Sequence, residues 1–140
     1  MVEPGDDSVA IRVVAMPADT NPLGDIFGGW LMCQMDLAAG SIAARRAEGR
    51  AVTIAADSMT FLRPVKVGDE VSVYATLISC GRTSMRINVE AWRRPRHGAT
   101  GEKVTAAAFT FVAVGDDGLP RPLPELHGKI GIAAGRLTDG

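Results

Sequence analysis

Residues 15–36 read AMPADTNPLGDIFGGWLMCQMD. Pro17, Asp19, Thr20, Asn21 and Pro22 are loop chemistry. The Gly28-Gly29 pair then leads directly into an apolar run in which Leu31, Met35, Ala38 and Ile42 stand at i, i+4, i+7 and i+11. That period predicts a helix from about Gly29 to Ala47, with one apolar stripe toward a core. A polar last turn at Arg45, Arg46 and Glu48 and a glycine stop at Gly49 close it. Gly29, Cys33, Asp36 and Gly40 form a second stripe on another side of the same helix. Small side chains let another backbone come close, so this stripe is expected to meet a second subunit or a ligand. The alternative is that Asp36 simply faces water.

Asp36 is the only charged residue from Ile26 to Ala44. A lone carboxylate in an apolar helix costs free energy unless it is hydrogen-bonded, solvated or used. The first amides of a helix have no internal partner, and the helix dipole there favours negative charge. Glycines let a ligand approach that backbone closely. Gly28 and Gly29 therefore suit an oxyanion hole, although a tight loop-to-helix turn would need the same residues. A carboxylate beside such a site can activate water or attack a carbonyl directly.

After the helix the period changes to two. Val9–Ala15 precedes the loop as a short strand, and Ala51–Phe61 is expected as one strand after the helix. Val71, Val73, Ala75 and Leu77 alternate with Ser72, Tyr74 and Thr76. Gly81 breaks that strand, and Met85, Ile87, Val89 and Ala91 mark its hairpin partner. Lys103–Val114 is a last, apolar strand, followed by a turn at Asp116-Asp117-Gly118. Short turns imply antiparallel neighbours. The fold class is thus α+β, an antiparallel sheet of about five strands with one long helix lying along it. The proline-rich tail from Leu119 begins extended, and a short helix is suggested at Ile130–Arg136. The Gly81-Arg82-Thr83-Ser84 turn could hold a phosphate through one cation, two hydroxyls and its amides. It reads equally well as an ordinary hairpin turn.

The chain has 140 residues, 46% of them apolar and 22% charged, with a formal net charge of −1. This suits one domain over residues 1–140, its core about 9–124 and the tail 125–140 without an assigned role. The charge balance leaves no footprint for nucleic acid. Arg93, Arg94 and Arg96 are read as a solvated strand end. Cys33 and Cys80 fit no metal spacing, and His97 and His127 lie far apart, so no metal and no cofactor are expected. The thiols are expected free. The acidic start, MVEPGDDS, is unlike a signal peptide, and no apolar run nears the roughly 20 residues of a membrane span. A cytoplasmic protein without a membrane partner is expected. No G-x-S-x-G elbow supports a Ser-His-Asp triad.

The runs MPADTNPLGDIFGGWLMCQMD, DSMTFLRPVKVGDEV, GRTSMRINVEAW and FTFVAV resemble the bacterial YciA-like branch of the cytosolic acyl-CoA hydrolase family. The likeness extends from about Val9 to Pro124. It implies the hotdog fold, hydrolysis of acyl-CoA to free CoA and a carboxylic acid, and a homo-oligomer, at least a dimer and commonly a trimer of dimers. By the same resemblance the catalytic acid falls on Asp36, and a loop residue working beside it from the partner subunit falls on Asp25. Oxyanion donors fall near Gly28 and Gly29, CoA contacts on Arg82, Thr83 and Ser84, and the acyl pocket near Ser58 and Thr60. Thr60 stands where close relatives usually have Asn, and Asp57 replaces a more usual Glu. A non-catalytic acyl-CoA sensor on the same fold is the alternative, and it would not need Asp36. A hotdog dehydratase would use a His on or before the helix, and none occurs between Met1 and Val89.

Overall fold

The computed structural model describes residues 2–126; the helix suggested at Ile130–Arg136, and His127, lie outside the described residues. Strand β1 (Val9–Val14) is followed by the helix α1 (Gly28–Ala47) and then by β2 (Ala51–Asp57), β3 (Glu70–Cys80), β4 (Ser84–Arg94) and β5 (Glu102–Ala113). The strands form one antiparallel sheet in the order β1-β3-β4-β5-β2. The helix lies in its concave side, which is the hotdog arrangement.

The two-residue period decides which side of each strand meets the helix. Val71, Val73, Ala75 and Leu77 of β3, Met85, Ile87 and Val89 of β4, and Phe109 and Phe111 of β5 are buried. They pack with Leu31, Met35, Ala38 and Ile42, the stripe that the helical period marked. Burying side chains of this size stabilises by about 1.5–3 kcal/mol each before entropy is counted.

Four expectations need correction. First, β2 ends at Asp57 rather than Phe61. Ser58 takes φ +58°, which turns the chain out of the ladder. Residues 58–61 are held to β5 differently, by the Thr105 hydroxyl donating to Thr60 O at 2.7 Å and by Leu62 N–H donating to Val104 O at 2.7 Å. Second, β2 and β3 are not neighbours. Their connector crosses the sheet, so β2 pairs with β5 and β3 with β1 and β4. Third, the helix stop is Glu48, at φ +53°, while Gly49 serves a different need. A Cβ there would lie 2.6 Å from Nη2 of Arg121, whose guanidinium donates to Ala47 O. Arg46 of the polar last turn is buried and donates to Pro124 O at 2.8 Å. Fourth, only Arg96 of the basic cluster is exposed. Arg93 bridges Asp69 (3.1 Å) and Glu102 (2.7 Å), and Arg94 pairs with Glu70 at 2.9 Å.

The outer face of β3 is also buried at Ser72 and Tyr74. The N-terminal segment covers it: the Tyr74 hydroxyl donates to Glu3 at 2.7 Å. Burial, reinforced by the Glu3 carboxylate, pushes the Tyr74 hydroxyl up to about 12.

Candidate active site

The loop before the helix is built by Asn21. Its side-chain oxygen accepts from Leu23 N–H (2.9 Å) and Asp25 N–H (3.1 Å), and its own N–H donates to Asp25 O at 2.7 Å. Gly24, at φ +88°, makes the tight return. Because the carbonyl end of the Asn21 side chain is occupied, its NH2 end is the part left to meet a ligand. Asp25 is set beside Lys66 of the connector at 2.5 Å. Ile26 N–H then donates to Val65 O, which seats the helix start on the connector.

Phe27 precedes α1 without a side-chain cap. The first helical bonds are those from Trp30 and Leu31 N–H to Phe27 O. The amides of Gly28 and Gly29 thus lie outside the helical ladder, at its positive end. Both glycines are exposed, and a Cβ at Gly29 would meet no atom within 4 Å. Nothing among the described residues requires glycine at that position.

Asp36 stands in mid-helix, half-buried, on the stripe with Gly29 and Cys33. The Thr53 hydroxyl, on β2, donates to its Oδ1 at 2.6 Å. One carboxylate oxygen is therefore fixed and the other is left for a ligand or water. Reading the sequence missed Thr53: a threonine in a strand is ordinary, and only the fold places it against the helix.

Seven residues of helix separate Gly29 from Asp36, a rise of roughly 10 Å at 1.5 Å per residue. A nucleophile must come within about 3–4 Å of the carbonyl carbon whose oxygen the donors hold, and a general base acts through one water. Gly29 and Asp36 of one chain are thus set far apart along the helix for work on one carbonyl.

A cavity of about 460 Å³ opens beside the helix start. Phe27, Gly28 and Leu31 line it from the helix end, Phe61, Leu62 and Val65 from the connector, and Val104 from β5. Ser58 and Thr60 border the same connector but are not among its lining residues.

The Gly81–Ser84 turn joins β3 to β4, closed by Gly81 N–H donating to Ser84 O at 2.9 Å. Thr83 O accepts from Ala113 N–H and Arg82 O from Leu123 N–H, so the backbone is clamped on both sides. The Arg82 side chain is exposed and forms no ion pair among the described residues. Ser84 pairs with Val112, which pairs with Val52. The turn thus lies two strand spacings, roughly 10 Å, from β2. Among the described residues no group of three His, Cys, Asp or Glu side chains is set to hold a metal, and no helix is long and apolar enough to cross a membrane.

Residues 23–100 match the thioesterase superfamily. The acyl-CoA thioester hydrolase YciA of Salmonella typhimurium is 51% identical over 83% of this chain and 90% of its own. The hexameric thioesterase y2039 of Yersinia pestis is similar in structure, with a TM-score of 0.81 and 49% identity over 87% of this chain and 99% of that one. The acyl-CoA hydrolase of Staphylococcus aureus, solved with coenzyme A as a variant, is 30% identical over 84% of this chain and 70% of that one, with a TM-score of 0.76. Its structures include alanine variants of an asparagine and of an aspartate fifteen residues further on. Asn21 and Asp36 have the same separation.

Proposed function

The chain belongs to the thioesterase superfamily, and on that footing we propose that it hydrolyses acyl-CoA thioesters to free CoA and a carboxylic acid. The observation that carries the mechanism is the half-buried Asp36, held through one oxygen by Thr53 with its other oxygen unbonded among the described residues. Asp36 acts on the thioester carbonyl as general base, taking a proton from the attacking water, or attacks as the nucleophile itself. Negative charge grows on the carbonyl oxygen, and the free amides at Gly28 and Gly29 receive it. The tetrahedral intermediate expels the CoA thiolate, which is protonated to the thiol; on the nucleophilic route this leaves an acyl–Asp36 anhydride, which water then cleaves. Water supplies the hydroxyl of the acid, and no step calls on a cofactor or metal.

The roughly 10 Å between Gly29 and Asp36 makes each chain the owner of two half-sites. The glycine amides of one subunit meet Asp36 of a second, so the working unit is a homodimer at least, and a trimer of dimers fits the hexameric relatives. In that arrangement the 20–26 loop beside the glycines reaches Asp36 of the other subunit. Asn21 offers its NH2 group there, and Asp25 offers a carboxylate balanced by Lys66. Ser58 and Thr60 lie at the edge of the acyl-binding region. The reaction is cytoplasmic and involves neither nucleic acid nor a membrane. A thiol-release assay over acyl-CoAs of different length tests the reading. Binding without release would leave the sensor alternative, for which Asp36 has no use.

CoA brings a 3′-phosphate and a diphosphate, and the Gly81–Ser84 turn presents Arg82, Thr83 and Ser84 to them. The guanidinium fork suits phosphate oxygens. The contact is remote from the thioester, so Arg82→Ala should raise KM several-fold with a smaller change in kcat. The effect should shrink for an acyl-pantetheine, which lacks the nucleotide. Equal losses on both substrates would make the turn purely structural.

A further inference from the structure

The structure assigns chain-length selection to Phe61: we propose that the 460 Å³ cavity beside the helix start takes the acyl chain and that the Phe61 ring is the wall at its mouth. The inference rests on the thioesterase reading and adds to it which side chain sets the substrate. Phe61 Cζ lies 3.4 Å from where a Cβ of Gly28 would stand. The ring therefore packs on the glycine whose amide is to hold the oxyanion, where the acyl chain leaves the carbonyl. From that point Leu31, Val65 and Val104, all buried, continue an apolar lining inward.

The lining chooses the occupant. Arg63 is its only charged member, and its guanidinium is engaged by Glu102 at 2.7 Å. The amides of a pantetheine arm would lose water there and find few partners. An alkyl chain leaves no polar group unpaired there and gains the burial of its methylenes.

Phe61 is placed so that its ring can change without loss of its backbone. The residues on either side are tied to β5 through Thr60 O and Leu62 N–H. The side chain is 45% exposed, so it contributes little to the core. Phe61→Ala should lengthen the accepted chain, and Phe61→Trp should shorten it.

The experiment measures kcat/KM for straight-chain acyl-CoAs on the wild type, Phe61→Ala, Phe61→Leu and Phe61→Trp, each checked by thermal unfolding and molar mass. In the wild type kcat/KM should rise roughly fourfold per added methylene, the equivalent of ~0.8 kcal/mol per buried CH2, until the cavity is filled. The plateau should move to longer chains by at least two carbons in Phe61→Ala and to shorter chains in Phe61→Trp. Phe61→Leu should fall between wild type and Phe61→Ala, and it carries the test if Phe61→Ala does not fold. A parallel change at all lengths, or an unmoved plateau, would overturn the assignment while thioesterase activity stood. A lowered molar mass in the variants would instead place a partner subunit's side chain in the cavity and overturn it too. No thiol release from the wild type at any length would overturn the thioesterase reading, and this inference with it.

Discussion

Replacing Asp36 by asparagine is expected to lower kcat by at least ~100-fold, the scale of lost acid–base help. The amide has the shape of the carboxylate, and its oxygen can still accept from the Thr53 hydroxyl. What goes is the charge: an amide neither takes a proton from water nor attacks a thioester. KM should move little, because the interaction is made in the transition state rather than in the ground state. Thr53→Val provides the graded control. It leaves the carboxylate charged but free to rotate, and a loss of roughly tenfold is expected, confined to kcat. Turnover by purified Asp36→Asn within a few-fold of wild type would remove Asp36 from the chemistry.

Placing a charge on the outer edge of the sheet should abolish both assembly and activity. Among the described residues β2 is hydrogen-bonded only to β5, and its other edge is unpaired. Val52 and Ile54 on β2 and Met32 and Leu37 on α1 are large apolar side chains left exposed beside it. Bare strand edges with apolar flanks ask to be covered, and a second copy supplies the complementary half-site as well. Ile54 is 58% exposed in a bulge of β2, so Ile54→Asp should leave the fold of the single chain intact. Light scattering should show a monomer at micromolar concentration. Turnover should fall at least ~100-fold if, as proposed, the glycine amides of one subunit work with Asp36 of another. A monomer that turns over at the wild-type rate would contradict the split site.

Much of this fold is legible in the sequence because period alone determines which side chains go inside. Leu31, Met35, Ala38 and Ile42 on the helix, and the alternating residues of β3 and β4, are buried as their spacing requires. What was not legible depends on contacts distant in sequence. The end of β2 rests on Ser58 at positive φ, a conformation that serine does not advertise. Arg46 and Arg93 look like surface cations until the tail carbonyl of Pro124 and the acids Asp69 and Glu102 are brought to them. In the site, Asp36 stands out by its isolation, and Gly28 and Gly29 by their place at a helix start. Thr53 and the loop-building Asn21 do not, because their roles are set by a cross-element bond and by local turn geometry.

One helix carries both the core stripe and the proposed catalytic acid. Met35 is fully buried, and the next residue, Asp36, is half-buried and bonded by Thr53. A substitution that shifts the packing of Met35 therefore rotates or translates the carboxylate as well. Stability and rate are mechanically geared in this protein, and few changes in α1 will alter one without the other. Laboratory evolution toward new acyl groups should accordingly collect its tolerated changes in the connector and on the outer face of the sheet, leaving the helix nearly untouched.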